Sequence, residues 1–194
     1  MALIFDCDGT LTDSMPVHYL CWQKTMRSHG IEFGEERFYA LGGMPSDKIV
    51  ELLTGEAGLR LDCKAIAAQK ERAFLDTLHL LEPIQAVVEI ARQNRGKRKM
   101  AVASGGFRHV IEMQLRQVGI LDWFDALVTA EDTPRHKPEP DVFLEAARRL
   151  AAQPANCLVY EDSDLGIEAA RRAGMQWVDV RAVHTPRRVT TLAT

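Results

Sequence analysis

The stretch that decides the fold lies at the amino terminus, where residues 2–10 read ALIFDCDGT. Its apolar half, residues 2–5, is typical of a buried strand. Asp6 and Asp8 follow at the carboxyl end of that strand, and Gly9 allows a sharp turn directly after them. Ligands of open α/β sheets bind at this end of the strands. The alternative interpretation is an Asp-Gly turn with two solvated acids.

The pair of carboxylates also predicts a cofactor. Asp6 and Asp8 repel each other at this spacing unless a cation or a proton lies between them. Hard oxygen ligands of this kind suit Mg²⁺, especially where a substrate adds phosphate oxygens of its own. We therefore expect a Mg²⁺ site at the carboxyl end of the first strand.

The overall composition limits the class of protein. A chain of 194 residues with 46% hydrophobic and 26% charged residues is ordinary for one globular domain, with or without an insertion. A net charge of −3 gives no general attraction to nucleic acid or to an anionic membrane. No apolar stretch approaches the ~20 residues that span a bilayer.

The cysteines and the first residues bear on location. The four cysteines are widely spaced and form no zinc or redox motif, which favours reduced thiols. The first strand begins almost at Met1, which leaves no room for a signal peptide. We expect a cytoplasmic protein, and a monomer.

Further apolar runs predict the rest of the sheet. Their near-continuous hydrophobicity fits parallel strands that are covered on both faces, and segments of helical period lie between them. This alternation predicts an α/β fold with a doubly wound, Rossmann-like parallel sheet. The predicted strands are residues 100–103, 126–128, 157–160 and 177–180.

One segment breaks the alternation of strands and helices. Between residues 15 and 80 we find several helical pieces, separated by glycines, and no convincing strand. We interpret this segment as an inserted α-helical cap. The predicted organisation is a core domain of residues 1–14 and 81–182, a cap domain of residues 15–80 and a carboxyl-terminal tail of residues 183–194.

Three other groups of polar residues follow predicted strands or lie in loops at the same edge of the sheet. Ser104 and Gly105 begin a glycine-rich turn, whose hydroxyl and N–H groups can bind phosphate oxygens. Lys137 precedes Pro138 and Pro140, which limit where it can point, and beside two acids it could supply positive charge. Glu161 and Asp162 end a buried strand, where acids cost desolvation energy unless they are paired or bound to metal.

This ordered set of motifs resembles the haloacid dehalogenase-like (HAD) superfamily, in its phosphatase branch. The resemblance covers nearly the whole chain, including a helical cap inserted straight after the first motif. The first motif is residues 6–10, and the second, third and fourth motifs match Ser104, Lys137 and the pair Glu161 and Asp162.

The resemblance implies a role for each acid. Asp6 would attack phosphorus and form an aspartyl phosphate, and Asp8 would protonate the leaving alcohol and then activate water. Mg²⁺ would be held by Asp6, Asp162 and the backbone carbonyl of Asp8, with Glu161 reaching the ion through water. Lys137 and Ser104 would bind the phosphoryl oxygens that are transferred.

Residues 11–18, which read LTDSMPVH, resemble the β-phosphoglucomutase-like subfamily. The resemblance implies that Ser14 and His18 line the substrate pocket, although His18 could also be a partly exposed cap residue. Arg108 and Lys70 are further cations that could meet substrate, and a solvated helix residue is the alternative for each.

The substrate is suggested by a departure from that subfamily. Its mutases carry a cap arginine in a Gly-x-Ser-Arg context, which grips a second phosphate. Residues 43–47 read GMPSD here, without arginine. Water is therefore the better acceptor, and this loop resembles that of bacterial fructose-1-phosphate phosphatases. We expect a Mg²⁺-dependent phosphatase of a small phosphomonoester, such as a sugar phosphate.

Other functions remain as alternatives. A β-phosphoglucomutase-type phosphotransferase would use the same core motifs. A phosphoacceptor regulatory module would also cluster aspartates around Mg²⁺, but such modules have no helical insertion. The basic run RGKRK at residues 95–99 could bind nucleic acid, yet a short cationic turn suits the end of a helix. We expect a small phosphorylated substrate and neither a nucleic-acid nor a membrane partner.

Overall fold

The predicted parallel sheet is confirmed. The structure, a computed structural model, describes residues 1–187. Five strands pair in the order β3-β2-β1-β4-β5, all of them parallel. The first strand therefore lies at the centre, and its carboxyl end faces those of β2 and β4. The strands are β1 (Ala2–Phe5), β2 (Met100–Ala103), β3 (Ala126–Val128), β4 (Cys157–Glu161) and β5 (Gln176–Asp179).

The inserted segment is helical in the structure. Its helices pack around a hydrophobic cluster of their own that includes Trp22, Phe33 and Ile49. They lie within the range predicted for the cap, although the boundaries of the two domains stay a prediction. These helices are α1 (Met15–Ser28), α2 (Glu35–Ala40), α3 (Ser46–Glu56) and α4 (Cys63–Leu75).

The remaining helices cover both faces of the sheet. One face of β1 contributes Ala2 and Ile4 to a cluster with two helices, and the other face contributes Leu3 and Phe5 to a second cluster. This double burial is why the strand is apolar throughout rather than alternating. The helices are α5 (Gln85–Asn94), α6 (Arg108–Gln117), α7 (Asp141–Arg149) and α8 (Asp164–Arg172).

The cap and the core are joined by two chain segments that pair with each other. Thr12 and Pro83 form an isolated antiparallel bridge. The backbone N–H of Asp13 donates to the carbonyl of Glu82 at 2.9 Å, and that of Ile84 donates to Leu11 at 3.0 Å. The two connections therefore form one short ladder of main-chain hydrogen bonds.

A hydrophobic cluster also crosses from cap to core. Val17 and Cys21 of α1 and Phe74 of α4 pack with Val110 of α6. Helix α4 ends at Leu75, and a single 3₁₀ turn follows before the chain returns to the core. The cap is thus seated directly on the helix that follows β2.

Part of the predicted tail is described. The backbone N–H of Arg187 donates to the Asp13 carboxylate at 3.0 Å, and its guanidinium pairs with Glu82. His184 Nε2 lies 3.3 Å from the other oxygen of Asp13. Residues 183–187 therefore contact the junction of cap and core, and residues 188–194 lie outside the described residues. Within residues 1–187, no helix combines the length and the apolar character needed to cross a bilayer.

Candidate active site

The centre of the site is a buried ammonium group between two carboxylates. Lys137 Nζ donates to Asp6 Oδ1 at 2.6 Å and to Glu161 Oε2 at 2.7 Å. All three side chains are at most 6% exposed. The sheet makes this possible, because β1 and β4 are neighbours and end side by side. The structure thus brings together residues that lie up to 155 positions apart in the chain.

Negative charge exceeds positive charge at this centre. One oxygen from each of Asp6, Glu161 and Asp162 lies within 4.8 Å of the others, and Lys137 supplies one positive charge against them. Burial raises the pKa of Asp6 well above its usual range, and repulsion from neighbouring acids adds to this against the opposing effect of Lys137. Burial and the adjacent Glu161 likewise raise the pKa of Asp162. This acidic cluster fits a divalent cation, which would relieve the repulsion.

The acids of β4 are held by the loop that follows them. The Ser163 hydroxyl and backbone N–H donate to Glu161 Oε1 at 2.7 and 3.1 Å. Asp162 accepts a hydrogen bond from Thr10 at 3.2 Å. Gly9 has a φ of +76°, and a Cβ there would overlap the Asp162 carboxylate. Ser163 was not singled out from the sequence, because a lone serine after two acids carries no distinct signal.

Three donors converge on one oxygen of Asp8. Asp8 Oδ1 accepts from the Ser14 hydroxyl at 2.6 Å, from His18 Nε2 at 2.8 Å and from the Gln114 amide at 2.9 Å. Burial raises the pKa of Asp8, but the interaction with His18 and the hydrogen bonds outweigh it and hold the pKa below its usual range. Thr12 donates to the amide oxygen of Gln114 at 2.9 Å, which fixes the amide's orientation.

The predicted substrate-binding residues Ser14 and His18 therefore contact Asp8. The structure places both at the start of α1, directed towards the core. Gln114, on α6, was missed in the sequence because one polar residue on an amphipathic helix does not reveal which neighbour it faces.

A chain of hydrogen bonds runs from Asp8 into the cap. Lys70 Nζ donates to His18 Nδ1 at 2.7 Å, so the ring proton lies on Nε2 and is donated to Asp8. Burial and the adjacent Lys70 hold the pKa of His18 below its usual range, which favours the neutral ring. Lys70 also donates to Glu71 Oε1 at 3.2 Å. Lys70 thus faces His18 and Glu71 rather than solvent.

The loop after β2 forms another part of the site. Ser104 is buried, and its hydroxyl accepts from the N–H of Gly106 at 3.0 Å. A Cβ on Gly105 would overlap the carbonyl oxygen of Gly43 in the cap. The loop predicted to bind phosphate therefore lies in direct contact with the cap loop that contains no arginine.

Arg108 was predicted to meet substrate, but its guanidinium binds other residues of the protein. Its guanidinium lies 2.5 Å from Asp132 and 3.3 Å from the carbonyl of Leu127. Arg149 contacts the same aspartate at 2.6 Å. Arg108 does not line the cavity described below.

A cavity of about 70 Å³ lies between core and cap. Sites for small ligands usually enclose about 300–1,000 Å³, so this cavity is smaller than a typical substrate site. The core wall includes Asp6, Asp8, Ser104, Glu161 and Asp162. The cap wall includes Trp22, Met44, Ser46, Ile49, Lys70 and Glu71.

Comparison with known proteins agrees with this arrangement. Residues 1–174 match the haloacid dehalogenase-like hydrolases. The chain is 38% identical over 180 residues to the fructose-1-phosphate phosphatase YqaB of Escherichia coli K12, covering 92% of this chain and 95% of YqaB. It is 28% identical over 179 residues to a phosphorylated carbohydrates phosphatase of Thermotoga maritima, covering 90% and 82%.

The fold also has a close match among solved structures. A β-phosphoglucomutase from Clostridium difficile superposes with a TM-score of 0.84 at 24% identity, covering 92% of this chain and 83% of that one. Because the identity is below 25%, this match supports a shared fold and nothing further.

Proposed function

This chain belongs to the haloacid dehalogenase-like hydrolases and is a phosphatase of phosphoric monoesters, and we propose that it hydrolyses a small sugar phosphate, such as fructose 1-phosphate, with Mg²⁺. The observation that carries the proposal is the buried contact of Lys137 with Asp6 and Glu161 beside Asp162. It combines a nucleophile, a cation site and a fixed positive charge at the end of β1.

In the proposed first step, a carboxylate oxygen of Asp6 attacks phosphorus. An O–P bond forms to Asp6 while the ester P–O bond breaks. Asp8 enters this step protonated, gives its proton to the leaving alcohol oxygen and ends the step as a carboxylate. In the second step, Asp8 takes a proton from water, whose oxygen attacks the aspartyl phosphate and releases inorganic phosphate. Since Ser14, His18 and Gln114 all bond to Oδ1, we assign the proton transfers to Asp8 Oδ2.

The other residues of the core wall stabilise the transferred group. Lys137 and Ser104 would bind its oxygens, and the Gly105 N–H would be a further donor. Mg²⁺ would be held by Asp6, Asp162 and the backbone carbonyl of Asp8, with Glu161 reaching it through water, and when bound it neutralises charge on the phosphoryl oxygens. The raised pKa values of Asp6 and Asp162 support a cation there.

Water is the proposed acceptor, instead of a second sugar phosphate. In the described part of the chain, no arginine lines the cavity, and the cap wall carries the acid Glu71. A second phosphate would therefore be poorly neutralised. This favours hydrolysis over the β-phosphoglucomutase-type transfer that remains the alternative.

The proposal includes a monomer in the cytoplasm. All four cysteines are free thiols, three of them buried, which supports a reducing compartment. Light scattering of the purified protein tests the monomer, and cell fractionation tests the location.

The deciding experiment measures phosphate release from a panel of phosphomonoesters, with Mg²⁺ and with excess EDTA. The panel contains fructose 1-phosphate, β-glucose 1-phosphate, nucleotides and an aryl phosphate. Mg²⁺-dependent release that favours the sugar phosphates supports the proposal. Full turnover in EDTA contradicts the metal site, and conversion of β-glucose 1-phosphate to the 6-phosphate without release supports the mutase. Durable phosphorylation of Asp6 without turnover supports a regulatory module.

A further inference from the structure

One carboxylate oxygen of Glu71, a residue that lines the cavity, has no hydrogen-bond partner among residues 1–187. Glu71 lies on α4, is 6% exposed and lines the cap wall. Its Oε1 accepts hydrogen bonds from Lys70 and from the Ser46 hydroxyl. Its Oε2 is buried, and no group among residues 1–187 donates to it. A buried polar atom of this kind costs free energy unless a donor reaches it.

Glu71 carries its charge in this position. Burial raises the pKa of Glu71, but the adjacent Lys70 and the hydrogen bond from Ser46 outweigh burial and lower the pKa from its ordinary value. The two donors also fix the carboxylate, since both bind the same oxygen. Oε2 is therefore the free acceptor of a charged carboxylate whose other oxygen is held by two donors.

We propose that Glu71 selects the substrate, a proposal that rests on the proposed function. Glu71 Oε2 accepts a hydrogen bond from a hydroxyl group on the unphosphorylated part of the substrate. The ligand class is a polyhydroxylated monophosphate, of a sugar or a sugar alcohol. The rest of the cap wall fits this class, since Trp22, Met44 and Ile49 are apolar surfaces for the carbon skeleton.

The same carboxylate acts against a second phosphate. A bisphosphate whose first phosphate lies at Lys137 would bring its second group towards the cap, where Glu71 is negative and no described residue of the wall is an arginine. Lys70 is the cation nearby, and it is already bonded to His18 and Glu71. Glu71 therefore both favours a hydroxyl and disfavours a phosphate at the cap end of the cavity.

The test compares kcat/KM for a hexose monophosphate, the matching hexose bisphosphate and an aryl phosphate without hydroxyls, all with Mg²⁺. Glu71→Gln keeps the size of the side chain and removes its charge. A hydrogen bond to a charged group contributes about 1.5–3 kcal/mol, or roughly tenfold or more in kcat/KM. We expect the monophosphate to lose at least tenfold more than the aryl phosphate, and the monophosphate-to-bisphosphate ratio to fall.

The matched control is Glu51→Gln, the same substitution at an exposed acid of the cap that pairs with Lys48. This control is expected to leave kcat/KM unchanged for all three substrates. Equal losses for the monophosphate and the aryl phosphate in Glu71→Gln would overturn the inference, because they would mean that Glu71 acts only through Lys70. An unchanged monophosphate-to-bisphosphate ratio would overturn it as well.

The wild-type protein provides a measurement that needs no variant. It is expected to prefer the hexose monophosphate at least tenfold over one of its singly deoxygenated analogues. If every deoxygenated analogue is turned over as well as the parent, the inference fails while the proposed function stands. If no phosphomonoester is hydrolysed with Mg²⁺, both fail.

Discussion

The two walls of the cavity are built differently. The core wall takes its charges from acids at strand ends, and two of these acids, Asp6 and Glu161, share the buried Lys137. The cap wall takes its charges from helices, with Lys70 and Glu71 adjacent on α4. The sheet fixes the reacting groups through main-chain pairing, whereas the cap groups depend on helix packing. The proposed chemistry and the proposed selectivity would thus reside in separate parts of the fold.

Asp8 links the two walls. It belongs to the core segment after β1, but one of its three donors, His18, comes from the first cap helix, and a second, Ser14, lies directly before that helix. Any change in how the cap sits therefore reaches the residue proposed to transfer protons. Four substitutions measure how far the walls act separately.

The largest effect is expected at the core wall. Asp6→Asn removes the proposed nucleophile and should lower phosphate release by about a thousandfold or more. The fold should remain, because the amide can still accept a hydrogen bond from Lys137. Asp122→Asn, at an exposed acid, is the matched control. A variant that keeps more than about a tenth of wild-type activity would refute the assignment of the nucleophile.

The next largest effect is expected on stability, at Lys137. Lys137→Met leaves Asp6 and Glu161 buried without their shared partner, and removing one member of a buried ion pair costs about 3 kcal/mol. Urea unfolding should show this loss, and Mg²⁺ should recover part of it by neutralising the acids. Lys97→Met, at an exposed lysine, should change neither the unfolding free energy nor its response to Mg²⁺. An unaltered unfolding free energy in Lys137→Met would show that the pair does not hold the core wall together.

A smaller effect is expected from the cap wall. Lys70→Met removes the donor to His18 Nδ1, so the ring is no longer held with its proton towards Asp8. We expect kcat for an aryl phosphate to fall about tenfold to a hundredfold. Lys64→Met is the matched control at an exposed lysine of the same helix. An unchanged kcat would mean that the two walls act independently even at Asp8.

The smallest effect lies outside both walls, at Asp132. Burial raises the pKa of Asp132, but hydrogen bonds from Arg149 and Thr129 outweigh it and lower the pKa to about 2. The carboxylate therefore stabilises the fold above about pH 4, and this contribution disappears as the pH falls towards about 2. Asp132→Asn should cost about 1 kcal/mol near neutral pH.

Urea unfolding at several pH values tests this expectation. The difference in unfolding free energy between the wild type and Asp132→Asn should shrink as the pH falls. A difference that stays constant with pH would contradict the assignment. Activity should change little, since Arg108 and Asp132 face away from the cavity.

The sequence predicted the core wall better than the cap wall for a physical reason. Strand ends of one parallel sheet lie at one edge, so the acids after β1 and β4 were expected at the same edge once both strands were recognised. The strand order of the structure then makes them neighbours. The sequence pattern of a helix does not indicate which neighbouring helix its polar residues will face. Glu71 and Gln114 are single polar residues on amphipathic helices, and their partners depend on packing that periodicity does not encode. Arg108 shows the reverse case, since its place beside the glycine-rich turn suggested substrate but its guanidinium pairs with Asp132.

The short ladder between Leu11–Asp13 and Glu82–Ile84 has a consequence for protein engineering. Its contacts are main-chain hydrogen bonds and one antiparallel bridge, and main-chain donors and acceptors are common to almost all residues. The two connecting segments, residues 11–13 and 82–84, therefore place few demands on their own side chains. Chimeric enzymes can retain residues 11–13 and 82–84 and exchange the helices between them for another insert. Such an insert must still provide the donors that Ser14 and His18 supply to Asp8, and apolar side chains that pack with Val110 of α6.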